Sequence, residues 1–99
     1  MSHAPSPFSD ERVMSISASE FGASIALTGA HSVANDGTVI FDVGKGHAEI
    51  TFEELPGVRL GGLLQLPRAK VFIKFRDVTP QEREAFLRLF DVAFQRGGG

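Results

Sequence analysis

Apolar and polar residues alternate most regularly near the end of the chain, over residues 69–76. Successive side chains of a β-strand point to opposite faces, so this pattern places Val71, Ile73 and Phe75 on one core face. The same alternation recurs over residues 38–43 and 47–53, on either side of a short glycine-rich segment. These two segments are predicted to form a β-hairpin.

Three further segments are predicted as strands. Two lie early in the chain, over residues 14–18 and 21–27, with the turn between them at Ser19 and Glu20. The third covers residues 58–67, where adjacent glycines permit a kink and a proline cannot donate a backbone hydrogen bond, which is typical of a bent or bulged edge strand. The sequence therefore predicts about six strands.

A helix is predicted over residues 80–96, directly after the last strand. Thr79 can act as the N-cap, Pro80 fits the first helical position, and Glu82 completes a capping box. The apolar residues of this helix cover more than half of its circumference, which is wider than one sheet face can bury. We therefore expect the helix to close the mouth of a barrel or to meet a second subunit, with its phenylalanines mostly in the core.

These elements indicate an α+β fold that is mainly β: a small antiparallel sheet or partly open barrel with one C-terminal α-helix packed on it. A chain of 99 residues is expected to form one domain, here over residues 13–96. Residues 1–12 contain prolines and show no periodicity, so they are predicted to be a disordered tail, and residues 97–99 a flexible tail.

The composition narrows the possible chemistry. The chain has no cysteine, which excludes disulfides, thiolate metal sites and cysteine nucleophiles. All nine aromatic residues are phenylalanine, which has no polar group and favours a core or an apolar interface. No apolar run is long enough for a membrane span or a signal-peptide core, so a cytoplasmic location without membrane association is expected.

The sequence contains no motif typical of catalysis or metal binding. The three histidines, His3, His31 and His47, lack the spacing of a metal site. His31 with Ser32 and Asp36 is interpreted as turn chemistry, because residues so close in sequence seldom have the geometry of a catalytic triad. We therefore expect a protein that is not an enzyme and that needs no metal or cofactor.

One face of the last predicted strand is strongly basic. The net charge of −2 gives the chain as a whole no attraction for nucleic acid, so only such a local patch could bind one. Cations around a phenylalanine could hold a phosphate backbone while the ring stacks on a base. The alternative is a solvated face, or one paired with the acidic residues of a neighbouring strand. The five residues are Arg68, Lys70, Phe72, Lys74 and Arg76.

Two segments, residues 14–22 and 71–83, resemble the middle and the end of a PilZ domain. The resemblance implies a small antiparallel barrel closed by a C-terminal helix and, for many members of that family, binding of cyclic di-GMP. The family's pair of arginines in the N-terminal tail is reduced here to Arg12, and its second motif retains only Ser17. The resemblance thus implies a degenerate member that works through protein contacts. A pleckstrin-homology-like barrel with a terminal helix looks similar at the same level.

The leading functional hypothesis is a non-enzymatic interaction or regulatory module that forms a homodimer or binds a protein partner. The wide apolar face of the helix and the apolar segment 60–66 motivate it. The alternative is binding of an anionic ligand, a cyclic dinucleotide or single-stranded nucleic acid, on the basic strand face. The predicted interface residues are Leu60, Leu63, Leu64, Leu87, Phe90 and Phe94.

Overall fold

A five-stranded antiparallel sheet forms the centre of the fold. The computed structural model describes residues 8–62 and 64–97. The strands are β1 (Phe8–Met14), β2 (Ser32–Val33), β3 (Val39–Val43), β4 (Gly46–Leu60) and β5 (Leu64–Arg76), and the helices are α1 (Ala18–Thr28) and α2 (Pro80–Gly97). The strand order is β1-β5-β4-β3-β2. The predicted class, mainly β with a C-terminal helix, is confirmed; the sheet is open, and the described residues form five strands rather than six.

The core lies between one face of the sheet and the two helices. The positions predicted for the core face of the last strand are buried, with Val71 and Ile73 at 0% exposure and Phe75 at 2%. The helices contribute aromatic rings, among them Phe21 of α1 and Phe94 of α2, whose centroids lie 5.7 Å apart. The predicted core role of the helix phenylalanines is confirmed.

Helix α1 occupies the second of the two early segments predicted as strands, so the prediction over residues 21–27 is wrong. The prediction over residues 14–18 holds only for Met14, the last residue of β1. Ser17 is the N-cap: its hydroxyl accepts a hydrogen bond from the backbone N–H of Glu20 at 3.2 Å. The Glu20 carboxylate accepts one from the Ser17 N–H at 2.9 Å, which completes a capping box. The buried side chains of α1 follow helical spacing and are Phe21, Ser24 and Ile25.

Helix α2 begins where the sequence predicts. The backbone N–H of Glu82 donates to the Thr79 hydroxyl at 3.1 Å, and the Thr79 N–H donates to the Glu82 carboxylate at 3.0 Å. These reciprocal bonds satisfy backbone donors that have no partner within the helix. Asp77 precedes this cap with a φ of 56°, so the chain turns sharply between β5 and α2.

The wide apolar arc of α2 is covered from two sides. The sheet covers one part and α1 covers another, while Leu87 is half-buried against the core. Leu89 and Val92 remain 60% and 48% exposed. The expectation of either a barrel mouth or a second subunit was therefore incomplete, because a second helix of the same chain packs against this face.

The predicted disordered tail of residues 1–12 is only partly within the described residues. Residues 8–12 belong to β1, an edge strand paired with β5, so the prediction is wrong for them. Residues 1–7 lie outside the described part of the chain, and so do residues 98 and 99 of the predicted flexible tail.

Strand β1 is fastened to α2 by Arg12. Its guanidinium forms an ion pair with Asp91 and lies 5.4 Å from the centre of the Phe90 ring. A cation above an aromatic face is attracted by the ring quadrupole, and this attraction adds to the ion pair. These two contacts hold the edge strand β1 against α2.

The predicted hairpin of residues 38–43 and 47–53 is confirmed as β3 and the first half of β4. Gly44 has a φ of 56°, a left-handed conformation that glycine adopts at no steric cost. A methyl group added at Gly46 would overlap the backbone oxygen of Arg76. The start of β4 therefore approaches the end of β5 so closely that only glycine fits there.

Strands β4 and β5 extend beyond the other strands as a two-stranded ribbon. Strand β3 pairs with β4 only as far as Ile50, and β1 pairs with β5 only as far as Ala69. We call the projecting part, residues 55–62 and 64–68, the distal arm. It contributes to a molecule 58 Å long but only 27 and 24 Å across.

The prediction of one bent strand over residues 58–67 is wrong, because the chain reverses direction within it. Gly61 and Gly62 have φ values of 62° and 76°, the left-handed conformations that tight hairpin turns require. The bulge lies earlier in the chain, between Leu55 and Val58. The two glycines thus separate β4 from β5 rather than kinking a single strand.

Candidate interaction surface

The outer face of the sheet, opposite the helices, carries the basic row predicted from the sequence. Side chains alternate along β5, and because Ala69, Val71, Ile73 and Phe75 face the core, the residues between them point outward. The structure therefore brings all five predicted ligand-binding residues onto one face: Arg68, Lys70, Phe72, Lys74 and Arg76.

An acidic row lies directly beside this basic row. In the antiparallel register of β4 and β5, Glu49 lies opposite Lys74 and Glu53 lies opposite Lys70. Opposite charges at facing positions stabilise a sheet and lower the positive potential that a phosphate group would experience. The register therefore favours a face of compensated charge over a purely cationic platform, and Arg76 forms an ion pair with Glu49 across it.

Within the described residues, neither Glu53, Lys70 nor Lys74 forms an ion pair within 4 Å. The Lys70 ammonium lies 5.8 Å from the centre of the Phe72 ring. Glu53 is level with Lys70, and Lys74 is level with Glu49. The charges of Glu53, Lys70 and Lys74 are therefore free to contact a second molecule.

A polar cluster occupies one end of the two rows. His47 Nε2 lies 2.8 Å from Glu49 Oε2, and Arg76 Nε donates a hydrogen bond to the same oxygen at 3.1 Å. The hydrogen bond from His47 is the largest cause that lowers the pKa of Glu49 below its ordinary value of 4.5. Partial burial opposes this shift, and the positive charge of Arg76 adds to it.

We expect Glu49→Gln to remove a pH-dependent part of the stability. Folding lowers the pKa of Glu49, so its contribution is fully present above the unfolded value of 4.5 and is lost as the pH falls through the lower native value. The free energy of unfolding of the wild type should therefore exceed that of the variant above the unfolded value of 4.5, and this excess should shrink as the pH falls below it. Urea unfolding on both sides of that pH measures the difference.

The matched control is Glu54→Gln, which removes an exposed carboxylate on the same strand that forms no ion pair within the described part of the chain. The difference in free energy of unfolding between this control and the wild type should change less with pH. If the difference in free energy of unfolding between the wild type and Glu49→Gln stays constant as the pH is lowered, the role given to the His47 hydrogen bond is contradicted.

The distal arm carries a partly exposed apolar patch that continues the outer face. The register pairs Val58 with Leu66 and Leu60 with Leu64, and no bulge interrupts β5 between Leu64 and Arg68. Directly paired residues share a face, so these leucines and Val58 lie on the side of the basic row. Val58, Leu60 and Leu64 are 37%, 48% and 54% exposed. We call the following residues the arm patch: Leu55, Val58, Leu60, Leu64 and Leu66.

The predicted interface residues are divided between the arm and the core. Leu60 and Leu64 belong to the arm patch, and Leu63 lies outside the described residues. Phe90 and Phe94 are 0% and 3% exposed, and their rings stack with centroids 4.0 Å apart. Because buried rings contact a partner only after the core opens, the arm is the part of the predicted interface that is accessible.

The outer face also holds a shallow depression of about 280 Å³ beside Phe72, lined in part by Glu49, Thr51 and Lys74. No group of three or more potential metal-ligating side chains occurs among the described residues.

His31 is exposed, with its Nδ1 3.1 Å from the backbone oxygen of Gly29. No helix among the described residues is long and apolar enough to cross a membrane.

Comparisons of the chain with models of protein families, with curated proteins and with solved structures found no match. The resemblance to PilZ domains therefore rests on residues 14–22 and 71–83 alone. The first segment runs from the end of β1 into α1, and the second from the middle of β5 into α2.

Two signals in the sequence were available for features that the sequence predictions missed. Ser17 and Glu20 have the spacing of a capping box, which marks the start of α1. In β5, apolar Leu64 and Leu66 occupy the same alternating series as Arg68 and the rest of the basic row. An alternation read from residue 64 onward predicts that the apolar patch and the charged rows share one face.

Proposed function

We propose that the protein is a non-enzymatic interaction module that self-associates through the distal arm. The observation that carries this proposal is the arm patch, in which Val58, Leu60 and Leu64 are exposed and Leu55 and Leu66 are half-buried, beyond the reach of β1 and β3. Exposed apolar patches of this kind on small proteins mark contact sites. The predicted cytoplasmic location is part of the same proposal.

An isolated two-stranded ribbon is only marginally stable in water, because one pair of strands buries little apolar surface. The distal arm is such a ribbon, since neither β1 nor β3 reaches it. A second molecule packed on its outer face would remove the leucines from water. It would also pack a second layer against the ribbon, which the arm lacks within one chain.

The open edge of β4 is poorly suited to pairing with another strand. Glu53 and Glu54 carry charge there, and Pro56 cannot donate a backbone hydrogen bond. These features protect an edge against β-sheet extension. The face of the arm is therefore the favoured contact surface.

No other described strand lies beside the arm patch. Strand β1 pairs with β5 only as far as Ala69, and β3 pairs with β4 only as far as Ile50. A second copy presents the same apolar leucines and so matches the patch in chemistry.

Anion binding on the basic row is less well supported. Lys70 and Lys74 each face a carboxylate on β4, so a phosphate would compete with charges already in place. Salt-dependent binding of an oligothymidine probe that fails in Lys70→Ala/Lys74→Ala would favour this alternative over self-association.

We expect the wild-type chain to sediment as a dimer at tens of micromolar and the Leu60→Ser/Leu64→Ser variant to shift strongly toward monomer. Each buried leucine contributes about 1.5–3 kcal/mol, and each tenfold change in the dissociation constant corresponds to about 1.4 kcal/mol. The dissociation constant should therefore rise by at least about tenfold. Sedimentation velocity over a range of concentrations measures it.

The matched control is Leu27→Ser/Leu89→Ser, which replaces two leucines with 62% and 60% exposure on the helices. This control should dissociate like the wild type. A wild-type chain that stays monomeric at high concentration would overturn the proposal, and so would an arm variant that dimerises like the control.

A further inference from the structure

We propose that two copies stack the outer faces of their β4–β5 ribbons about a two-fold axis that runs parallel to the strands, midway between β4 and β5. The two distal arms then lie against each other and point in the same direction. This inference rests on the proposed self-association, and it adds the surface, the symmetry and the orientation of the contact.

The area of contact requires more than the arm patch. A ribbon about six residues long and two strands wide offers a face of roughly 20 by 10 Å, or ~200 Å². Stable interfaces bury about 800 Å² on each partner. The contact must therefore continue along the outer face of the same ribbon, onto the acidic and basic rows.

The register of these rows decides the symmetry. A two-fold axis parallel to the strands exchanges β4 of one copy with β5 of the other and leaves the position along the strand unchanged. Because Glu49 is level with Lys74 in one chain, Glu49 of each copy then faces Lys74 of the partner. Glu53 in the same way faces Lys70 of the partner. The outer face is thus complementary in charge to itself at these two levels, whereas Arg68 is level with Leu55 and Arg76 with His47.

The other face-to-face orientation is unfavourable. A two-fold axis perpendicular to the strands lays β4 on β4 and β5 on β5, with the arms pointing in opposite directions. The acidic row would then meet an acidic row, and the basic row a basic row, which raises the free energy of the complex. Charge therefore selects the orientation with parallel arms.

The apolar arm agrees with this symmetry. Val58 of one copy would face Leu66 of the other, and Leu60 would face Leu64, because these residues are paired within one chain. Two sheets whose strands are nearly aligned pack about 10 Å apart with interdigitated apolar side chains. The arm patch supplies the affinity, while the charged rows supply the orientation.

A charge exchange tests the inference. Lys70→Glu places a new carboxylate of each copy against Glu53 of its partner, and Glu53→Lys places two lysines together, so each variant alone should dimerise several-fold more weakly than the wild type. A mixture of the two variants restores oppositely charged pairs across the interface and should form the heterodimer in excess of the statistical share. Native mass spectrometry of the mixture and sedimentation of each component at low salt measure these effects.

The matched controls are Lys45→Glu at the β3–β4 turn and Glu84→Lys on α2, which make the same charge changes away from the outer face. They should dimerise like the wild type and mix statistically. Circular dichroism identifies any variant that fails to fold, and the pair Lys74→Glu and Glu49→Lys then provides a second test.

The outcomes separate the two proposals. A wild-type dimer whose Lys70→Glu variant associates as well as the wild type or more tightly would overturn the parallel-arm arrangement and leave self-association intact. A wild-type dimer whose charge variants mix only statistically would do the same. A monomeric wild type would remove both proposals.

Discussion

The Phe90→Ala variant is expected to lose about 3–5 kcal/mol of its free energy of unfolding. Phe90 is fully buried, its ring stacks on Phe94 at 4.0 Å, and the Arg12 guanidinium lies 5.4 Å from its centre. Truncation would leave a cavity beneath α2 and remove the aromatic face that holds the edge strand. The free energy of unfolding of a small domain is only about 5–15 kcal/mol in total, so the variant should be close to unfolding.

Urea denaturation followed by circular dichroism measures this loss, and Phe90→Leu provides a milder substitution if the alanine variant does not fold. The control is Leu89→Ala, which truncates a neighbouring side chain that is 60% exposed. Its effect should stay within about 0.5 kcal/mol. A loss below about 1 kcal/mol for Phe90→Ala would show that the ring is not a core residue and would return α2 to the candidate interface.

We expect Gly46→Ala to destabilise the protein by about 3 kcal/mol, near the upper end of the usual effect of overpacking. The added methyl group would overlap the backbone oxygens of Arg76 and Asp77, and backbone atoms move only if the strand moves. Relief of the overlap must separate the start of β4 from the end of β5. The β3–β4 hairpin and the connection to α2 would both be disturbed. Thermal and urea unfolding measure the effect.

The control for this substitution is Gly22→Ala. Gly22 lies within α1, and an added methyl group there has no other atom within 4 Å. Alanine is favoured over glycine inside a helix by about 0.5–1 kcal/mol, so this variant should be more stable than the wild type. Similar destabilisation by both alanines would contradict the close approach at Gly46.

Local signals in the sequence account for much of the fold. The start of α2 follows from Thr79 and Glu82, whose side chains bond to backbone groups within one helical turn. The alternation of β5 follows from its own period of two, and it places five residues on the outer face correctly. Such features are predictable because both partners of each interaction lie close together in the chain.

The error over residues 14–28 has a specific physical cause. Small and apolar residues alternate loosely there, and this short pattern is compatible with a strand or with a helix. The Ser17 capping box and the packing of Phe21 against Phe52 and Phe94 decide in favour of α1. The first signal is local and was present in the sequence; the second is a contact between elements far apart in the chain.

The candidate surface shows the same division. The sequence predicts the basic face of β5 and the apolar character of residues 60–66, because each property belongs to a single segment. The sequence does not predict the register that places Glu53 opposite Lys70 and Leu60 opposite Leu64. It also does not predict that Phe90 is buried while Leu60 is exposed.

Composition and short-range periodicity therefore determined the secondary structure at the C-terminal end, the mainly β class and the chemical character of each face. The tertiary structure alone decided which strands are neighbours beyond the β3–β4 hairpin, the register of the strands, and which apolar residues the helices cover. The reason is that strand pairing and burial depend on contacts between residues far apart in sequence, and their free energy is a property of the folded arrangement rather than of any one segment.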